Sequence, residues 1–160
     1  MKTSVKVIGC MAALAVLVIV QSAAAQSELQ GVWKITEVSI SGPNARTVKP
    51  LENNIFIFTK KHFSSIKVVS QKPRPGLPQK DATDAQKVAT WAPFSATAGT
   101  YEVKETSLTA YPFAGKNPIE PGTFLVFDVK IEGDVLFITM KANKDGPIAN
   151  PPTYKCVRVE

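Results

Sequence analysis

Cysteine is almost missing from this sequence of 160 residues: Cys10 and Cys156 are the only two. Cys10 lies in an apolar leader, so Cys156 stands alone in the rest of the chain. A lone thiol excludes an intrachain disulfide there and leaves the fold to its core. Set among strand formers, it reads as a buried and inert group. Histidine is scarcer still, with His62 the single example. One imidazole, one thiol and no acidic loop of the calcium-binding kind argue against a dedicated metal centre. His62 follows Lys60 and Lys61 at an expected hairpin tip, a wet cationic place that suits neither a general base nor the partner of a nucleophile. Glu102, Glu105, Asp128 and Glu132 fall on outward faces and read as solvated charge. No catalytic set and no cofactor are therefore expected. The chain also lacks any stripe of Lys and Arg interleaved with aromatics, and Lys60-Lys61 is its only adjacent basic pair, which argues against a nucleic-acid partner.

One long apolar run is present, and it is at the start. Lys2 and Lys6 precede the run from Val7 to Val20, and Ala23-Ala24-Ala25 follows it. Basic residues, a short apolar stretch and a small-residue site in that order read as a secretory signal peptide over 1–25, cleaved before Gln26. The run lies mostly after Cys10, the wrong order for a lipid-attachment site. Cleavage leaves 26–160 as one domain with a net charge of +4, against +6 for the whole chain, and no bilayer anchor. A secreted or periplasmic location follows as the expectation.

The remainder is a series of Val-, Ile-, Phe-, Tyr- and Thr-rich segments separated by turn residues. Strands are expected at 31–40, 54–60, 62–70, 99–105, 107–113, 122–132, 134–142 and 153–159. Ser41-Gly42-Pro43-Asn44, Gly133-Asp134 and Lys144-Asp145-Gly146-Pro147 supply turns between them. Leu125, Phe127, Val129 and Ile131 alternate with Asp128, Lys130 and Glu132; Leu136, Ile138 and Met140 alternate with Phe137, Thr139 and Lys141; Tyr101 and Val103 oppose Glu102 and Lys104. Each strand is thus half buried. Within an insertion over 71–98, stiffened by Pro73, Pro75 and Pro78, Thr83 and Gln86 have capping-box spacing ahead of Val88 and Trp91, and Pro93 stops the helix. The fold class expected is all-β: an eight-stranded up-and-down antiparallel barrel with one short helix in a long loop, a sandwich of seven or eight strands being the alternative. The insertion reads either as a lid over the open end or as a surface crossover that packs Trp91 on the wall.

These pieces, in order, resemble the bacterial lipocalin-like domain family. The resemblance is carried by Gly31-Val32-Trp33-Lys34-Ile35, by Ile55 to Thr59 running into His62-Phe63-Ser64, by the Arg74-Pro75 loop, by Gly99 to Val103, Leu108-Thr109 and Asn117-Pro118, and by Gly133 to Leu136 with Arg158-Val159. It departs at Phe63, where the family carries Tyr, and after Pro118, where Ile119 to Gly122 stand in place of a Trp. The resemblance implies that Trp33 and Arg158 close one end of the barrel, and that the interior holds a small, mostly apolar molecule. Phe58, Phe63, Tyr101, Phe127, Ile138, Met140 and Tyr154 are the expected wall, with Arg74 at the mouth as a partner for a ligand carboxylate. The alternative is that the aromatic and aliphatic side chains fill a solid core. Three functions fit: a carrier or sequestering protein, an isomerase or cyclase that holds an apolar substrate in one conformation, and an inhibitor or interaction protein that presents the Pro-rich loop 72–79.

Overall fold

The computed structural model describes residues 26–160; the expected leader lies outside them. Residues 26–29 form a helical turn, and ten strands follow: β1 (Gly31–Ile40), β2 (Arg46–Val48), β3 (Asn54–Phe58), β4 (His62–Val68), β5 (Phe94–Lys104), β6 (Ser107–Gly115), β7 (Leu125–Glu132), β8 (Val135–Asn143), β9 (Gly146–Pro147) and β10 (Pro152–Arg158). The helix α1 (Asp84–Trp91) lies between β4 and β5.

Eight of these strands make a closed up-and-down antiparallel barrel. Each long strand pairs with its neighbour in the order β1-β3-β4-β5-β6-β7-β8, and β10 closes the ring by pairing with both β8 and β1. Closure gives each of the eight a partner on both sides. β2 and β9 are short ribbons laid on β1 and β8.

The alternating pattern decides which side chains fill the interior. Trp33, Ile35, Phe56, Phe58, Phe63, Tyr101, Leu108, Phe127, Leu136, Ile138 and Cys156 form one continuous buried cluster. In β1 the pattern breaks step, since Trp33 and Ile35 occupy odd positions and Val38 and Ile40 even ones. A β-bulge between Ile35 and Glu37, opposite Cys156 and Lys155, absorbs the extra residue. It turns Val38 inward to pack against the core.

The two ends of the barrel differ in their connections. The turns β3–β4, β5–β6 and β7–β8 lie at the same end as the start of β1 and the finish of β10, and all are tight. The connections 41–53, 69–93, 116–124 and 144–151 gather at the other end.

At the tight end the helical turn tucks Leu29 into the core, and Trp33 Nε1 donates to the Leu29 carbonyl at 2.8 Å. The Arg158 guanidinium lies 4.0 Å from the Trp33 ring centroid and donates to the carbonyls of Gln30 and Glu28, each at 2.7 Å. Gly31 is required there: its φ is +130°, and a Cβ would stand 2.2 Å from the Glu160 carbonyl oxygen.

The sequence expectation differs from the structure in three places. Residues 94–98, expected in the insertion, belong to β5 and pair with β4 from Val68↔Phe94 to Ser64↔Ala98. After Phe94 the side chains of Ser95, Ala96, Thr97 and Ala98 are small and carry no hydrophobic alternation, so pairing with β4 sets their conformation. β2 and β9 were not anticipated, because three and two residues carry no period. Several strand ends also move, with β3 stopping at Phe58, β4 at Val68, and β7 starting at Leu125.

The insertion is therefore 69–93. α1 opens with the capping box: Gln86 N donates to Thr83 Oγ1 at 3.2 Å, and Thr83 N to Gln86 Oε1 at 2.9 Å. Lys116 Nζ closes it by donating to the carbonyls of Trp91 and Ala92. No residue of α1 is buried, and the Trp91 and Phe94 rings meet edge-to-face at 5.4 Å.

Candidate ligand cavity

At the end with long connections the barrel opens into a cavity of about 560 Å³. Its walls come from the far end of β1 (Val38, Ile40), from β2 (Arg46, Val48), from the following loop (Lys49, Pro50, Leu51), from the end of β4 and the residues after it (Lys67 to Gln71), and from Pro152 and Tyr154 of β10. Asn54 fixes the geometry of one wall. Its side chain is buried and bridges β3 to β4, accepting from Val68 N at 2.7 Å and donating to Val68 O at 3.3 Å.

Most of the lining is aliphatic or aromatic, but three cations face it: Arg46, Lys49 and Lys67. No carboxylate lines it. Lys67 is the deepest of the three. It follows Phe63 and Ser65 along one face of β4, and its Nζ lies 4.9 Å from the Tyr154 ring centroid and 5.6 Å from that of Phe56.

Below Lys67 the interior is nearly full. A void of about 50 Å³ remains, lined by Phe56, Phe58, Phe63, Ser65, Lys67, Phe127 and Ile138 among others. Lys67 lines both spaces. Ser65 Oγ is buried beside the void and has no hydrogen-bond partner among the described residues.

The residues selected from the sequence are distributed over several places. Tyr154 lines the large cavity. Phe58, Phe63, Phe127 and Ile138 line the small void and fill the interior around it. Tyr101 lines neither space: its hydroxyl donates to the Thr59 carbonyl at 2.7 Å, its ring meets Phe58 edge-on at 5.3 Å, and burial pushes its phenol pKa up. Met140 packs against the margin of the core.

Arg74 is away from the mouth and already occupied. It grips Glu52 with both nitrogens of its fork, Nη2 to Oε2 at 2.6 Å and Nε to Oε1 at 2.9 Å, and its guanidinium stands 5.7 Å from the Phe94 ring centroid. The pairing holds the Glu52 carboxyl below its ordinary range. Thus Arg74 straps the insertion to the 49–53 loop, where the sequence suggested a ligand contact. α1 contributes nothing to the cavity lining.

His62 is exposed, and its ring meets that of Phe113 edge-to-face. The Cys156 thiol is fully buried, and desolvation pushes its pKa up to about 12, against the opposing pull of the Lys67 charge. A thiol so disposed carries negligible thiolate at neutral pH. Among the described residues no group of three or more His, Cys, Asp or Glu side chains is placed to hold a metal ion. No described helix is long and apolar enough to cross a membrane.

Sequence reasoning missed Lys67, Ser65 and the basic rim. The signal for the first two was present: Phe63, Ser65 and Lys67 share one parity, and Phe63 marks that parity as inward. Comparison with family models, with curated proteins and with solved structures finds no match for this chain.

Proposed function

We propose that this chain is an exported, lipocalin-like binding protein that carries or sequesters a small hydrophobic or amphipathic molecule in the mouth of its barrel. The observation that carries the reading is the cavity of about 560 Å³ with a largely apolar wall. Small-molecule sites are typically concave, mostly apolar and roughly 300–1,000 Å³ in volume, with a few polar groups to orient the ligand. The void of about 50 Å³ beneath it is too small for a ligand body, so the ligand sits at the mouth. Leu51 and Val69 line the cavity yet remain 56% and 73% exposed, an apolar rim across which such a molecule would enter. The basic, apolar and small-residue order of residues 1–25 supports export. The reading requires no covalent step.

Nile red, a neutral dye that fluoresces in apolar surroundings, tests it. Saturable binding at one site per chain is expected, and Val48→Trp, which puts an indole into the cavity, is expected to abolish it. Absence of saturable binding, together with equal native and denatured masses for protein taken from its own compartment, would overturn the proposal.

A further inference from the structure

Lys67 is an inward-facing cation without an anion. Among the described residues Arg74, Lys87, Lys130, Lys141, Lys144 and Arg158 pair with carboxylates, and the lysines and arginines without such a partner are exposed, Lys67 excepted. Lys67 takes part in no such pair among the described residues, and its ammonium faces two aromatic rings. Ring faces replace only part of the hydration that a cation gives up on entering a protein. Beside it Ser65 Oγ, 95% buried by its residue's exposure of 5%, has no partner either. Both side chains line the same small void. An ammonium and a hydroxyl two residues apart on one inward face, lining one void and both short of an acceptor, form an incomplete seat for an oxyanion.

Resting on the binding reading above, we propose that the cavity selects amphiphiles with a single anionic oxyacid head, a carboxylate or a phosphate monoester, and that Lys67 and Ser65 receive that head at the cavity floor. The reverse orientation would place the apolar tail at the floor, where a void of about 50 Å³ has room for a head group and not for a chain. With the head down, the apolar body runs along Val38, Val48 and Tyr154 toward the rim at Leu51 and Val69. Arg46 and Lys49 flank that route, and the absence of any lining carboxylate leaves the whole cavity attractive to anions. Carboxylate and phosphate heads share this chemistry, and displacement separates them.

The test displaces Nile red with dodecanoate, dodecanol and monododecyl phosphate at neutral pH. In the native protein at least one of the two acids is expected to displace the dye at about one-tenth the concentration dodecanol needs, the gain of one charge-assisted contact. Whichever acid is more effective names the head. Lys67→Met is expected to erase the preference, so that the acids need the concentration that dodecanol needs, while Lys67→Arg retains it. Lys67→Gln serves as a second neutral variant should Met disturb the packing. Ser65→Ala is expected to weaken the acids more than the alcohol. Equal displacement by acids and alcohol in the native protein would overturn the inference and leave the binding reading intact. So would a preference that survives Lys67→Met and Lys67→Gln but disappears when Arg46 and Lys49 are both changed to Gln, since the rim would then be reading the charge. No saturable Nile red binding at all would overturn both.

Discussion

At one end of the barrel the Arg158 guanidinium lies 4.0 Å from the Trp33 ring centroid; at the other the Lys67 ammonium lies 4.9 Å from that of Tyr154. The pairing of cation and aromatic face is similar, but the surroundings are not. Arg158 also donates to two backbone carbonyls, and Trp33 donates to a third, so the tight end is satisfied and shut. Lys67 has ring faces and open space, and the hydroxyl beside it is unpartnered. A cation with its hydrogen bonds complete is a structural part; one whose bonds are unmade inside a cavity is available to a ligand.

Substitutions at the two ends should therefore separate stability from binding. The largest effect is expected at Trp33, which is fully buried. Trp33→Ala should cost ~3–5 kcal/mol and lower the melting temperature by about 10 °C or more. A thermal scan checks this, and an unchanged midpoint would remove the indole from its role in closing the barrel.

Arg158→Met comes next. It removes charged donors from the Gln30 and Glu28 carbonyls and should cost about 2 kcal/mol, read in the same scan. Lys67→Met is the matching change at the open end, and its stability should stay within ~1 kcal/mol of the native protein, because an unpaired inward cation contributes little to folding. Equal losses at the two cations would erase the distinction between the ends.

The smallest effect concerns the strap between Arg74 and Glu52. Because Arg74 holds the Glu52 carboxyl below its ordinary pKa, the pair is intact above that ordinary value and is lost as the pH falls through the lowered one. An acid titration should shift the fluorescence of the half-exposed Trp91 as the insertion loosens, with no change near neutral pH. Glu52→Gln should remove that transition and leave the melting temperature where it was, as expected of an ion pair near the surface.

The barrel was largely legible in the sequence because its strands are half buried. Leu136-Ile138 against Phe137-Thr139, and Leu125-Phe127-Val129 against Asp128-Lys130, can be satisfied only by a sheet with one dry face. The capping box of Thr83 and Gln86 was equally local and equally visible. Residues 94–98 were not, since Ser95, Ala96 and Ala98 take their conformation from β4.

The cavity was harder to read for a different reason. Large inward aromatics such as Phe58, Phe63 and Phe127 suggest a pocket, yet their bulk is what fills the interior. The open space lies where strands give way to β2 and the 49–53 loop, and its outer wall has no periodicity. Lys67 obeyed the alternation, but a lysine in a strand is ordinarily an outward residue. Arg74 had no visible partner because Glu52 is 22 positions away and was not connected to it by any motif.

The seam between β1 and β10 also sets the order of events as the protein forms. The Thr36 hydroxyl meets the Lys155 carbonyl across 119 positions of chain, and β10 must join β1 and β8 together. Contacts of such long sequence separation carry a large loop-closure cost and form slowly. A nascent chain that has not yet released residues 152–158 is a curled ribbon with two raw edges, β1 and β8, each ready to pair with another ribbon. In the finished barrel β10 covers both of those edges, so the hazard of aggregation is greatest before the last strand arrives.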